Sequence, residues 1–198
     1  MPARILNVLA LLPMALAITG CWPLVLGGAA ETAVVAAQER SVGNAVDDAG
    51  ILLQIKSKYT QQDVNDLLVN VEIKVVEGRV LLTGNVDKPE TAVEAVRLAW
   101  LVPGVREVMN EIQVNDKTGF KDYALDVWIS TQVRTRLLVA KNIRSVNYSV
   151  LTVNGVVYLM GIAQDQAELE RATYVASTTS YVKQVVSHVR LKDDPRRP

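Results

Sequence analysis

The sequence predicts an α+β fold: two tandem copies of one αββαβ unit, each a three-stranded mixed sheet with two helices, placed after a signal peptide and a tether. An internal repeat is the first observation behind this. The stretch Val75-Val76-Glu77-Gly78-Arg79-Val80-Leu81-Leu82-Thr83-Gly84 lies 77 positions before Thr152-Val153-Asn154-Gly155-Val156-Val157-Tyr158-Leu159-Met160-Gly161, and self-similarity at a fixed offset marks duplicated units. The second is the hairpin signal inside each copy. Both alternate around a two-residue turn, Glu77-Gly78 and Asn154-Gly155, and Asn-Gly between alternating apolar residues favours a hairpin because both turn positions need positive φ. The third is that the offset persists outside the hairpin. It pairs Ala95 with Ala172, Ala99 with Ala176, Val105 with Val182 and Val108 with Val185. Upstream it becomes 78, pairing Asp48 with Asp126, Ile51 with Ile129, Gln54 with Gln132 and Lys56 with Arg134.

Taken in order, the first unit opens with a helix capped by Asp47 or Asp48 and running to about Tyr59, followed by strands near 69–76 and 79–85. A second helix begins at Pro89, a residue favoured at the first helical position. It carries Ala92, Val93, Val96 and Ala99 at helical spacing. Pro103-Gly104 ends it, and Val105, Val108, Ile112 and Val114 mark a last strand. In the second unit Asp126 caps a helix to about Ala140, Asp165 caps another to about Thr179, and the final strand covers 182–191. Helices on one face of a small sheet make an α+β layer. A unit of roughly 70 residues buries only a modest core, so the two are expected to lean on each other.

The N-terminus carries a different kind of signal. Arg4, an apolar run over residues 5–18 and small residues before a cut site make a secretory signal. The run is short for a membrane span, which needs about 20 residues, and Pro13 interrupts it. Ile18-Thr19-Gly20-Cys21 resembles the lipobox of bacterial lipoproteins, with Ile18 where leucine is more usual. In that family the cysteine thiol takes a diacylglycerol, and the processed chain is held to the membrane by acyl chains such as palmitate. Cys21 is the only cysteine, so no intramolecular disulfide accounts for it in an oxidising compartment. The expected division is a signal peptide at 1–20, an acylated tether at 21–45, units at 46–116 and 124–192 joined by a linker at 117–123, and a tail at 193–198.

The paired Gly-x-Val-x-Leu-x-Gly hairpins, in tandem units of this length, resemble BON domains. With the lipobox, the chain is similar to the dual BON-domain outer-membrane lipoproteins. Arg40-Ser41-Val42-Gly43 with Val46-Asp47-Asp48 resembles the start of their first domain, and Asp126-Val127-Trp128-Ile129 and Tyr158-Leu159-Met160-Gly161 resemble their second. One departure stands out. The glycine usual before the last strand, present as Gly104, is Tyr181 in the second copy, where a positive φ would strain a bulky side chain and a different geometry is expected.

Little in the chain looks catalytic. His188, the sole histidine, falls in the last strand with no ligand or carboxylate at metal spacing, and an exposed position accounts for it. Gly78, Gly84, Gly155 and Gly161 are hairpin glycines rather than a phosphate cradle, and Asp47 and Asp48 are accounted for as caps. The reading is a non-enzymatic binding protein with no metal, no small-molecule substrate and no cofactor beyond the covalent lipid on Cys21. An exported chain without a long basic run also makes nucleic acid a poor partner.

Charge suggests what is bound. Residues 48–116 carry seven Lys/Arg and eleven Asp/Glu, a net of −4, whereas 126–192 carry eight and four, a net of +4. Arg134, Arg136, Lys141 and Arg144 form a basic group in the second unit. It would serve either anionic lipid head groups or docking onto the acidic unit. Trp128 lies about 100° or more from the centre of the core stripe Ile129, Val133, Leu137 and Ala140. Its ring either reaches a bilayer's head-group level or packs at the junction between the units. Trp100 is expected in the core or the junction, and Trp22 in the head-group region beside Cys21.

The resemblance implies that the second domain's first helix contacts anionic phospholipid such as phosphatidylglycerol. By position this points to Trp128, Thr131, Thr135 and Leu138, with Arg134 added from charge. It also implies a place on the periplasmic side of the outer membrane and a role in envelope integrity, with the division site as one place of action. The alternative is a protein–protein adaptor whose acidic domain docks to an envelope assembly such as the outer-membrane β-barrel insertion machinery.

Overall fold

The computed structural model of the protein describes residues 38–62, 65–115 and 120–198. The signal peptide, Cys21, Trp22 and most of the expected tether lie outside the described residues. The first unit comprises α1 (Val42–Gln61), a short α2 (Asn65–Asn70), β1 (Val71–Val76), β2 (Arg79–Val86), α3 (Pro89–Trp100) and β3 (Glu107–Val114). The second comprises α4 (Phe120–Val139), a single 3-10 turn (Ser145–Asn147), β4 (Tyr148–Val153), β5 (Val156–Ala163), α5 (Gln166–Ser177) and β6 (Gln184–Leu191). Each sheet pairs its hairpin strands antiparallel and its central strand parallel to the last, in the orders β1-β2-β3 and β4-β5-β6. A tight turn suffices for the first connection, whereas the parallel one needs a crossover helix, supplied by α3 and α5. The α+β architecture is as the sequence predicts.

The helix starts differ from expectation, and the reason is tertiary. Ser41 caps α1, its hydroxyl accepting from the Asn44 N–H at 3.0 Å, and α4 begins at Phe120. Residues 42–45 and 120–123, read as tether and linker, are thus helical. Asp47 is exposed inside α1, and Asp48 and Asp126 are buried inside their helices rather than capping them. Each carboxylate reaches across to its own unit's hairpin turn. Asp48 accepts from the N–H groups of Glu77 (2.9 Å) and Gly78 (2.8 Å). Asp126 accepts from Asn154 (2.7 Å) and Gly155 (2.8 Å). Both residues of each turn have positive φ: 55° and 73° in the first unit, 52° and 80° in the second. Buried backbone donors require partners, and an ionised acceptor makes the stronger bonds. Asp165, by contrast, does cap α5, accepting from the Glu168 N–H at 2.7 Å.

Three apolar clusters, drawn from residues 51–191, hold the molecule together. Ile51, Ile55, Tyr59, Leu82 and Ala95 fill the space between sheet and helices in the first unit. Ile129, Val133, Leu137, Leu159 and Ala172 do so in the second. The third cluster joins Val76, Leu81 and Met109 to Leu151, Val153, Tyr158 and Met160, so the two sheets pack face to face with their helices outside. Central strands β2 and β5 are therefore buried on both faces, which is why Val80-Leu81-Leu82 and Val157-Tyr158-Leu159-Met160 read as continuous apolar runs.

A polar rim surrounds this contact. Arg190 pairs with Glu107 at 2.8 Å, and Arg79 donates both to Glu107 (2.8 Å) and to the carbonyl of His188 (3.0 Å). The Asn154 side-chain amide donates to Asn85 (2.9 Å) and Gln113 (2.7 Å). Opposite charges of the two units thus meet at the interface. Two expectations are corrected here. His188 is not an exposed strand residue: its Nε2 lies 2.9 Å from Glu111 across the interface, held there by sheet stacking. Trp100 is not packed away: at the end of α3 it is 51% exposed, because the buried face of that helix is taken by Ala92, Ala95, Leu98 and Ala99.

Candidate membrane-contact site on the second domain

Helix α4 buries Ile129, Val133 and Leu137 and leaves its opposite face in solvent. With about 100° per residue, Trp128, Thr131, Thr135 and Leu138 fall within one arc of that outer face. All four are exposed, with Trp128 at 41% and Leu138 at 69%, and Val127 and Val139 extend the apolar area. The Thr131 hydroxyl donates to the Val127 carbonyl at 2.9 Å, so its polar group is satisfied within the helix.

Trp128 has an aromatic partner in its own domain. The ring of Tyr181 meets it edge to face, with centroids 5.6 Å apart and planes at 76°, an arrangement that suits the quadrupoles of two aromatic rings. Tyr181 keeps the left-handed conformation that Gly104 adopts in the first unit, with φ of 66° against 91°. The expected change of geometry is therefore not found; the turn is rebuilt with a tyrosine in it. Its flanking hydrogen bonds match those of the first unit, Lys183 to Gly155 (2.9 Å) and Arg106 to Gly78 (2.8 Å).

The arginines do not gather around Trp128. Arg134 lies about 120° around the helix from it, where its guanidinium donates to the Val150 carbonyl on β4 (2.5 Å) and its charge is felt by Glu72 and Lys74 of the first unit. Arg136 donates to Thr179 (2.6 Å) and Thr178 (3.0 Å), just before the Tyr181 turn. Arg144 pairs with Glu39. Lys141 and Lys183 are exposed. The basic group is thus dispersed, and what the structure brings together is an apolar, aromatic face, with Arg136 bonded to the residues that lead into the Tyr181 turn and Lys183 two residues after Tyr181. Helical spacing gives no hint that Tyr181 touches Trp128; the one signal in the sequence is its replacement of a turn glycine.

Elsewhere the polar chemistry is structural. Burial would raise the Glu107 carboxyl, but the hydrogen bond from Arg79 and the charges of Arg79 and Arg190 outweigh it and hold the group below the usual range. Glu72 goes the other way, raised by burial despite nearby Arg134. A cleft of about 450 Å³ between the units is lined by Lys56, Glu72, Asn85, Tyr123 and Asp126 among others, and Asp126 is already committed to the hairpin turn. Among the described residues no group of three or more His, Cys, Asp or Glu could hold a metal, and no helix is long and apolar enough to cross a membrane.

Comparison with known proteins follows the same outline. The BON domain model matches residues 47–116 and again 125–193. The chain is 45% identical over 153 residues to an uncharacterised protein from the gshII 5' region of Anaplasma centrale, covering 77% of this chain and 99% of that one. It is 33% identical over 175 residues to the outer membrane lipoprotein DolP of Haemophilus influenzae, covering 88% of this chain and 90% of the relative. It is also 33% identical over 153 residues to osmotically-inducible protein Y of Escherichia coli, covering 76% of each.

Proposed function

This chain belongs to the BON-domain family, and from that membership we propose that it is a non-enzymatic envelope lipoprotein whose second BON domain binds anionic phospholipid. Cys21 carries the lipid anchor and the folded part faces the periplasm from the outer membrane. There the protein supports membrane integrity, with the division site as one place of action. The contact residues are Trp128, Thr131, Thr135 and Leu138. Arg134, exposed and one helical turn before Leu138, adds positive charge for the anionic head groups.

The observation that carries this reading is the exposed aromatic and aliphatic face of α4. Aromatic rings of this kind suit the membrane–water interface, with an apolar body and a polar tip, and contiguous exposed apolar groups mark interaction surfaces. Chain geometry supports it too. Gln38 donates to the Val146 carbonyl at 2.9 Å, and the Glu39 N–H donates to the Asn147 side chain at 3.0 Å. The segment leading to Cys21 therefore leaves beside the second domain, although it precedes the first in sequence. The 16 residues between Cys21 and Gln38 allow a span of at most about 60 Å, which keeps the α4 face within reach of the membrane that holds the anchor.

Co-sedimentation of residues 38–198, which contain all three apolar clusters, with phosphatidylglycerol-containing vesicles tests the reading. Binding that is lost in Trp128→Glu and weakens as salt rises supports it. Equal recovery of wild type and Trp128→Glu with vesicles contradicts it.

A second reading has its own observation. Val93, Trp100 and Leu101 of the first domain are exposed along and just past α3, and Val93 and Trp100 are seven residues apart on one helical face. This patch suits a protein partner in an envelope assembly, the adaptor role, and Trp100→Ala would disturb that role without touching vesicle binding.

A further inference from the structure

The two units are near copies, so a position where they differ reveals what the fold does not require. Two such positions coincide in space. Where α1 has Gly50, α4 has Trp128; where the turn before β3 has Gly104, the turn before β6 has Tyr181. In the first unit both glycines border an open hollow of about 530 Å³, together with Gln54, Pro103 and Arg106, and a Cβ on Gly50 would meet nothing within 4 Å. In the second unit the two rings stand there in edge-to-face contact. The first unit folds around the same turn and the same helix without either ring.

Tyr181 is also expensive for the backbone. Positive φ is strained for a bulky residue and free of strain for glycine. Burial does not offset that strain, since the side chain is 67% exposed and its ring contact is with Trp128, itself partly exposed. Strained, exposed residues of this kind cluster where a ligand is held.

We propose that Tyr181 is a second membrane-contact residue, forming with Trp128 a two-ring wedge that enters the head-group layer of an anionic bilayer. The proposal rests on the phospholipid reading above and names a residue which that reading does not require. The occupant follows from what surrounds the rings. Lys183 sits two residues along the same turn with its side chain exposed, and Arg136 donates to Thr178 and Thr179, which lead into that turn; both cations suit phosphate. The phenol presents an apolar ring with a polar tip, the pattern of interfacial tyrosines.

The test compares residues 38–198 as wild type, Tyr181→Gly, Tyr181→Asn, Tyr181→Phe and Trp128→Glu. Each is titrated with phosphatidylglycerol/phosphatidylcholine vesicles and with phosphatidylcholine alone, and each is melted without lipid. Glycine and asparagine both accept positive φ, so the turn survives in two independent variants. The expected result is affinity for anionic vesicles about tenfold weaker in Tyr181→Gly and Tyr181→Asn, and within about threefold of wild type in Tyr181→Phe. The same two weakened variants should melt about 2–4 °C higher as strain is relieved. Lower affinity with a higher Tm is a combination that a packing role cannot produce. Unchanged affinity in Tyr181→Gly while Trp128→Glu is lost overturns the wedge and leaves the phospholipid reading standing. A lower Tm in Tyr181→Gly and Tyr181→Asn overturns it in favour of packing. Absence of wild-type binding to anionic vesicles overturns both.

Discussion

Arg197 closes a two-pronged ion pair on Glu77, a residue of the first domain's hairpin turn 120 positions earlier: Nη2 donates to Oε1 at 2.8 Å and Nε to Oε2 at 3.1 Å. Glu77 is buried, and its partner is supplied by the chain that follows β6 of the second domain. The equivalent turn residue of the second domain, Asn154, is held in turn by Asn85 and Gln113 of the first. Each hairpin turn is thus gripped by the opposite unit. Glu77 also lies between the Asp48 carboxylate, which takes its N–H, and Arg197, which takes its side chain.

Removing Arg197 leaves a buried carboxylate without its counter-charge. Arg197→Ala should destabilise the protein by roughly 3 kcal/mol, because an uncompensated buried charge is costly. The double variant Glu77→Gln/Arg197→Ala should recover a large part of that loss. Urea unfolding of the four members of the cycle measures the coupling directly.

The buried aspartates carry a second prediction. Asp126→Ala strips two turn N–H groups of their acceptor and should cost about 2–4 kcal/mol by denaturant unfolding. Asp48→Ala should cost at least as much, since that carboxylate also pairs with Arg40 at 2.9 Å. Asp47→Ala, on the exposed side of α1, should change stability by less than about 0.5 kcal/mol. Were the aspartates acting as helix caps, Asp47 and Asp48 would respond alike.

That contrast marks how far the sequence is legible. The repeat at offsets of 77 and 78 is enough to place both hairpins, the crossover helices and the register of one unit on the other. It pairs Asp48 with Asp126 but is silent on what they bind. Local preference favours a cap, and the true partners are turn donors 28 or more residues away. Leu81, Tyr158 and Met160 are apolar on the strand face away from the helices, and only the stacking of the two sheets explains them. His188 escapes the sequence because which surface the partner unit covers is a property of the pair, and Trp100 because Ala92, Ala95, Leu98 and Ala99 already fill the buried face of α3. At the candidate site, Trp128, Thr131, Thr135 and Leu138 share a face, as helical spacing requires, whereas Arg134 and Tyr181 were settled by contacts outside the helix.

Acid should loosen the interface. The Glu107 carboxyl is held below its ordinary value of 4.5 in the folded protein, and so is that of Glu39, beside Lys192 and Arg144. A depressed carboxyl stabilises the fold fully above its unfolded value and loses that contribution as pH falls through the folded one. Tm should therefore drop as pH is lowered below about 4.5. In Glu107→Gln the slope should be shallower. Glu72, raised by burial, works in the opposite sense and limits the size of the effect.

Close approach of the backbone supplies a further check. A Cβ on Gly161 would lie 1.9 Å from the Asn147 carbonyl oxygen, and one on Gly84 equally close to that of Asn70. Both glycines also have positive φ, at 149° and 136°. Gly161→Ala and Gly84→Ala should each lose about 3 kcal/mol or more, a magnitude reserved for core or backbone disruption. Gly50→Ala, with open space around it, should be neutral or slightly stabilising through helix propensity.

The central claim, that the outer face of α4 meets anionic phospholipid, is tested most directly by following backbone amide shifts of residues 38–198 during titration with phosphatidylglycerol micelles. The account predicts shifts concentrated at residues 123–139 and 178–183, absent from the sheet–sheet interface and lost in Trp128→Glu. Shifts centred instead on α3 around Trp100, or none at saturating lipid, would contradict it.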